Sequence, residues 1–222
     1  MPLPTIATPI YELELPSTKK SIKYRPFLVK EEKLLVLALE SEDTKQITNA
    51  ISAVIKSCII SKGIKVETLP TFDIEFLFLN IRGKSVGEEV ELNIIAPDDG
   101  ITEIPVKINL DDIKVVEDET HTKQIKLDET LMMEMKYPSL DQFIKNNFDL
   151  ENQSNVDQVW ATADCTKEEV TDFLGQMNSL QFKEIEKFFN TMPKLSHTVK
   201  VTNPTTKKKS EVVLEGLSSF FA

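Results

Sequence analysis

Two alternating apolar runs, separated by a turn motif, constrain the fold of this chain more than any other feature. Every second residue is apolar in both runs, at Val90, Leu92, Ile94, Ile104, Val106 and Ile108. This period of two is typical of strands that bury one face. The intervening segment contains Asp99-Gly100, a pair that is favoured in hairpin turns. The sequence therefore predicts an antiparallel hairpin whose apolar face is directed towards a core.

The same alternation predicts further hairpins along the chain. Residues 10–25 are predicted to form the first of them, because Tyr11, Leu13 and Leu15 alternate with glutamates. The remaining predicted strands lie at 113–117, 123–127, 131–137, 198–202 and 211–215, of which the last two form a terminal hairpin around Asn203-Pro204.

Helical periodicity predicts α-helices between these strands. In the segment 43–61, one face is apolar and Asp43 with Gln46 forms a capping pair. The face comprises Ile47, Ile51, Val54 and Cys58. Segment 70–82 is ambiguous, since a buried strand would be equally apolar, but an early Asp73, a late Arg82 and a following Gly83 favour a helix. A further helix is predicted to begin at Lys30-Glu31-Glu32-Lys33. The other predicted helices lie at 140–147, 156–163, 167–176 and 180–192, and Thr166 with Glu169 forms a capping box at the start of the third of these four.

These elements predict an α+β fold of helices and β-hairpins. A shift of 107 residues aligns Cys58 with Cys165 and Pro97 with Pro204, and the order helix, helix, hairpin, apolar tail recurs. This weak repeat suggests two similar helix–hairpin lobes in addition to the N-terminal hairpin. We expect either two regions, 1–138 and 139–222, or one compact unit.

Composition restricts the classes of function that this chain can have. The 222 residues are 41% hydrophobic and 28% charged, which is typical of a folded protein. A formal net charge of −10 argues against nucleic acid as a partner, because phosphate binding needs clustered cations. Since there is neither a long apolar run nor a secretory signal pattern, we expect no membrane-spanning segment. Cys58 and Cys165 are expected to be free thiols in a reducing compartment.

Searches for catalytic and metal-binding motifs give negative results. The two histidines, His121 and His197, lie in unrelated segments, and we expect both to be exposed. No paired cysteines, phosphate-binding loop or nucleophile elbow occurs. We therefore expect no catalytic residues, no metal and no cofactor. The alternative is a hydrolase that uses carboxylates, and the scarcity of histidine makes it the weaker hypothesis.

Five segments, taken in order, resemble a known family. Segment 24–35 contains the sequence Arg-Pro-Phe-Leu-Val-Lys-Glu-Glu-Lys, segment 69–87 contains an Arg-x-Lys-Ser-x-Gly turn, and segment 135–139 contains Tyr-Pro. The other two segments are 187–193 and 214–221. Together they resemble the T-even-type bacteriophage baseplate protein family, the hub subunits and hub-assembly proteins of contractile tails. The resemblance also implies that related hairpins can carry cysteine pairs like those of zinc knuckles. Here the tips at 96–100 and 203–207 have no cysteine, so we expect no zinc.

The resemblance implies a non-enzymatic role in tail morphogenesis, with other baseplate hub and tail proteins as partners. The protein would be either a hub subunit that stays in the virion baseplate or a chaperone-like assembly factor that works in the host cytoplasm. Aromatic and arginine side chains are favoured at interfaces. Candidate contact residues are therefore Tyr24, Arg25, Phe27, Phe220 and Phe221. The alternative, that Phe27 and Phe220 close the protein's own core, remains open.

Overall fold

A computed structural model describes residues 7–127, 129, 131–140, 167–216 and 219. The described helices are α1 (Val29–Glu40), α2 (Thr44–Cys58), α3 (Thr71–Val86), α4 (Lys167–Gly175) and α5 (Ser179–Thr191). The described strands are β1 (Tyr11–Glu14), β2 (Ser21–Tyr24), β3 (Glu89–Ile95), β4 (Glu103–Asn109), β5 (Lys114–Val116), β6 (Gln124–Lys126), β7 (Met132–Glu134), β8 (Lys194–Thr202) and β9 (Lys209–Glu215). The α+β class is confirmed. The predicted helix at 156–163, the one at 140–147 after its first residue, and Cys165, Thr166, Phe220 and Phe221 lie outside the described residues.

The chain divides into two compact units. The first comprises Met1–Val116 and Lys194–Ala222, and the second comprises Glu117–Pro193. These bounds differ from the predicted regions 1–138 and 139–222. The reason is strand pairing: β8 pairs with β5 on one side and with β9 on the other, so the terminal hairpin belongs to the first unit.

The hairpin predicted from alternation has the expected register. In the β3–β4 pair, Val90 faces Ile108, Leu92 faces Val106 and Ile94 faces Ile104. The inward residues of β3 share a single buried cluster with Leu195, Val199 and Val201 of β8. The two hairpins therefore build one core, and not the two separate lobes that the weak repeat suggested.

Three hairpins of the first unit use the same form of turn. The turns span residues 15–19, 96–100 and 203–207, and each has proline at its second position. The fifth residue has a positive φ in every case: 55° at Lys19, 68° at Gly100 and 60° at Lys207. Its N–H donates to the carbonyl oxygen of the first turn residue at 2.8, 2.9 and 3.0 Å, respectively. Proline presets the φ at the second position, and the left-handed fifth residue lets the chain return.

Side chains of the second and third of these turns bind each other. The Asn203 amide donates to Asp98 Oδ1 at 3.0 Å and to Asp99 Oδ2 at 2.8 Å, and the Thr206 hydroxyl donates to Asp98. Hydrogen bonds from Thr206 and then Asn203 lower the pKa of Asp98. The pKa of Asp99 is lowered mainly by the Thr102 hydroxyl and by backbone N–H groups. We name Asp98, Asp99, Asn203 and Thr206 the turn clasp; it fixes the two hairpin tips to each other.

Replacing Asn203 with Ala is expected to lower the free energy of unfolding by about 2 kcal/mol. Asn203 is buried, and its loss leaves two carboxylates without their shared donor. Urea unfolding followed by circular dichroism measures the change, with Lys208→Ala on the same hairpin as an exposed control. A loss equal to that of the control would show that the clasp does not stabilise the fold.

The helices of the first unit follow the predicted signals, with one correction. Asp43 caps α2 by accepting from the backbone N–H groups of Lys45 at 2.8 Å and of Gln46 at 3.3 Å. Segment 70–82 is helical as predicted, but α3 does not end before Gly83. It continues to Val86, and Gly87, with φ 118°, follows it. Gly83 lies inside the helix, where a Cβ would be at an ordinary van der Waals distance of 3.5 Å from a Leu110 side-chain carbon.

The second unit has a separate apolar cluster. The β6–β7 hairpin pairs Ile125 with Met133, and α5 begins at a capping box in which Asn178 and Gln181 bind each other's backbone N–H groups. The buried residues of the cluster are Ile125, Leu127, Met135, Leu174, Ile185 and Phe188. The predicted helices at 167–176 and 180–192 and the strands at 123–127 and 131–137 are therefore confirmed, with small changes in their bounds.

Candidate interaction surface

Tyr24 lies in the core of the first unit and not on its surface. The side chain is buried at the end of β2, and its ring lies 5.8 Å from the ring of Tyr11. Its backbone bridges to Ile59, directly after α2. Burial raises the pKa of the Tyr24 hydroxyl. In this structure Tyr24 joins the N-terminal hairpin to α2.

Arg25 is held by a network inside the first unit. Its guanidinium donates to the Pro26 carbonyl at 2.8 Å, to Glu31 Oε1 at 3.0 Å and to the Ser57 hydroxyl at 3.0 Å. Glu31 is buried, and it also accepts from the Ser57 hydroxyl at 2.6 Å and from the Leu28 N–H at 2.8 Å. Burial opposes ionisation of Glu31, but the hydrogen bonds from Ser57 and Arg25 outweigh it and lower the pKa to about 2.

This network explains how the chain enters α1. The Glu31 carboxylate caps the Leu28 N–H, which is half of a capping box, and its charge lies near the positive end of the helix. Arg25 and Ser57 connect that helix start to α2. Arg25 therefore positions α1 through an ion pair, a role that the sequence pattern did not reveal.

Phe27 stands at the edge of the same region. Its side chain is half-buried, and its N–H donates to the Ser85 hydroxyl of α3 at 2.9 Å. The following residues, Leu28 and Val29, are exposed. Phe220 and Phe221, the second predicted group of contact residues, lie outside the described residues.

The exposed surface of α1 is apolar to an extent unusual for a solvent-facing helix. Val29 is 67% and Leu37 65% exposed, whereas Glu31 and Ala38 are buried. The exposed aliphatic residues on α1 are Val29, Leu34, Val36, Leu37 and Leu39. Residues 34–39 are six consecutive apolar residues, and a helix cannot direct all of them inward. This run is therefore the sequence feature that indicates an exposed apolar surface. We name the exposed part of α1 the α1 surface.

The two histidines are less exposed than predicted. Both are half-buried. In the second unit His121 Nδ1 lies 2.9 Å from the Thr191 hydroxyl and Nε2 lies 3.1 Å from the Tyr137 hydroxyl. The imidazole also packs on the Phe188 ring, with centroids 5.0 Å apart. Burial, and then the charge of Lys123, lower the pKa of His121. With both nitrogens engaged, this imidazole is a packing element of an aromatic cluster.

Cys58 is fully buried as predicted, and burial raises the pKa of its thiol to about 11. In a Cys165→Ser background, the thiol of the native protein is therefore expected to react at least about a hundredfold more slowly with a thiol reagent than the urea-unfolded chain does. Absorbance during labelling at neutral pH measures both rates. Comparable rates in the two states would contradict the burial of the α2 face.

Other kinds of site are not found in the part of the chain that the structure describes. Within it, no three His, Cys, Asp or Glu side chains are grouped so that they could hold a metal ion. Among the same residues, no helix has the length and apolar character needed to span a bilayer.

Comparison of the chain with models of protein families agrees with the family resemblance of the five sequence segments. The model described as "T4 bacteriophage base plate protein" matches residues 8–222, which is nearly the whole chain. The chain belongs to the T4 bacteriophage base plate protein family. Comparisons with curated proteins and with solved structures found no match. Membership of the base plate family assigns this protein a role in the phage tail baseplate, and the family is a structural one.

Proposed function

We infer that this base plate protein acts by protein–protein binding during assembly of the baseplate hub, and that it is not an enzyme. The observation that supports this most strongly is the α1 surface, where five aliphatic side chains on twelve residues are exposed. Contiguous exposed apolar surface on a folded protein usually marks an interaction site. Family membership supplies the setting, in which such contacts join tail proteins.

The proposed contact includes the start of α1 as well as its middle. Phe27 is half-buried and leads into exposed Leu28 and Val29, so its ring can extend the apolar surface. Tyr24 and Arg25 support the contact from inside, because they fix the chain that enters α1. Phe220 and Phe221 remain proposed contact residues at the end of the chain.

Replacing Leu37 with Glu tests the proposed function. A charge at the centre of the α1 surface is expected to reduce co-purification with the hub proteins of the same phage at least about tenfold, because the charge would be desolvated on binding. The matched control is Ile101→Glu, since Ile101 is also exposed and lies beside the 96–100 turn. Unchanged recovery of hub proteins with a folded Leu37→Glu variant would contradict this function.

Two roles are compatible with such binding, and particle composition separates them. A hub subunit remains in the virion, whereas an assembly factor leaves before the tail is complete. Mass spectrometry of purified particles is the measurement. We propose the hub as the place of action in either case, and detection of the protein only in tail-free fractions would assign it to the assembly factors.

A further inference from the structure

We propose that the α1 surface binds the α1 surface of a second copy of this chain, with the two helices antiparallel about a two-fold axis. The inference rests on the proposed function, because it takes α1 as a protein-binding surface. It goes further by naming the occupant of that surface and the register of the contact.

The geometry of α1 defines the face that is available. Successive residues are about 100° apart around a helix, so positions separated by three, four and seven residues share a face. Val29, Lys33, Val36 and Glu40 have these separations, and all four are exposed. Glu31 and Ala38 lie on the opposite side, where α1 packs on α2. The outward face thus alternates aliphatic and charged residues along its length.

The two charged residues on this face favour a self-complementary contact. Lys33 and Glu40 are seven residues apart, about 10.5 Å along the axis. If the two-fold axis passes between Val36 and Leu37, Lys33 faces Glu40 of the partner subunit, and the same pair forms again on the other side of the axis. A two-fold contact repeats each interaction, so a single Lys–Glu spacing provides two ion pairs.

The same axis also aligns the apolar residues. It places Val36 at the level of Leu37 of the partner subunit, so that aliphatic residues lie next to the axis. Moving the axis onto Val36 itself would instead place Glu32 opposite Glu40, so like charges would meet. Charge therefore selects the first register over the second.

Local charge balance explains why this face, in an acidic chain, can bind a copy of itself. The formal net charge of −10 opposes most contacts between copies. The exposed charged residues of α1 are two lysines and two glutamates, Lys30, Lys33, Glu32 and Glu40, since Glu31 is buried. This part of the surface is neutral as a whole and carries both signs, so it lacks the excess negative charge that opposes contact between copies.

The size of the surface implies modest affinity. Twelve residues make a helix of about 18 Å, which is short for a standard interface. We therefore expect self-association in the micromolar range, which sedimentation velocity over a series of protein concentrations can measure.

Charge reversal on the full-length protein tests the proposal. The single variant K33E brings two carboxylates together at each of the two Lys–Glu contacts in the dimer, and the single variant E40K brings two lysines together there. Each single variant is expected to weaken dimerisation about tenfold. The double variant K33E/E40K restores both pairs with exchanged signs, and its dimerisation is expected to match that of the parent within about twofold. Lys33 and Glu40 are both exposed, and melting curves confirm that each variant is folded.

The outcomes separate this proposal from the proposed function. If the unsubstituted protein is monomeric at every concentration in the series, self-association is overturned. The proposal is also overturned if the protein dimerises but neither K33E nor E40K weakens the dimer. Failure of the double variant to recover overturns the antiparallel register and with it the proposal. If the parent is monomeric but Leu37→Glu still loses the hub proteins, a different protein occupies the α1 surface, and the proposed function stands without this inference.

Discussion

Replacing Phe188 with Ala is expected to lower the free energy of unfolding of the second unit by about 4 kcal/mol. The side chain is almost fully buried on α5, and its ring lies 5.0 Å from His121, 5.8 Å from Tyr137 and 5.3 Å from Phe189 between centroids. Truncation removes both the buried apolar area and the ring contacts, and it leaves a cavity beside an imidazole. Urea unfolding followed by far-ultraviolet circular dichroism measures the loss.

Leu180→Ala is the matched control for Phe188→Ala. Leu180 lies on the same helix but is 74% exposed, so its truncation is expected to change stability by less than about 0.5 kcal/mol. Similar losses for the two variants would mean that the apolar cluster of the second unit does not hold α5. Hydrogen exchange of the α5 amides would then identify which elements open together.

Replacing Arg25 with Ala is expected to lower the free energy of unfolding of the first unit by about 3 kcal/mol. The substitution removes the guanidinium that pairs with the buried Glu31 carboxylate, which keeps only a longer contact of 3.5 Å to the exposed Lys30 ammonium, and it removes the donor to Ser57. The control is Lys107→Ala, which breaks the exposed ion pair with Glu91 and is expected to leave stability nearly unchanged. Equal effects of the two substitutions would contradict the positioning role of Arg25.

The pH dependence of stability gives an independent measure of the same network. Glu31 has a folded-state pKa of about 2, below its usual value of 4.5. The stabilisation is therefore fully present above pH 4.5 and is lost as the pH falls from 4.5 towards 2, by up to about 3 kcal/mol. Glu31→Gln should lack this component of the acid sensitivity. A parallel decline in parent and variant over that window would show that Glu31 is not stabilised in its ionised form.

Elements with strong local patterns could be predicted from sequence. The β3–β4 register follows from the period of two, because a slip by one residue would expose the whole apolar face. The start of α2 follows from Asp43, whose carboxylate satisfies the free backbone N–H groups of a helix N-terminus. In both cases residues close in sequence determine the outcome.

The candidate surface was less predictable, because its residues depend on distant contacts. Arg25 resembles an interface anchor until Glu31 and Ser57 are placed beside it, and Ser57 is 32 residues away. Gly83 resembled a helix terminator, but α3 continues through it to Val86. The six apolar residues at 34–39 are compatible with a helix, yet periodicity alone does not show that its neighbours leave most of them exposed.

The position of β8 has a consequence for the order of events during synthesis. This strand is the middle one of the β5-β8-β9 sheet, and its Leu195, Val199 and Val201 complete the core that β3 and β4 begin. All residues of the second unit are translated between β5 and β8. At typical elongation rates the ribosome takes roughly 4 to 15 s to add them. Throughout that interval the nascent first unit has an open core and an unpaired strand edge. The time for which its apolar core stays uncovered therefore depends on how soon the last part of the chain emerges from the ribosome.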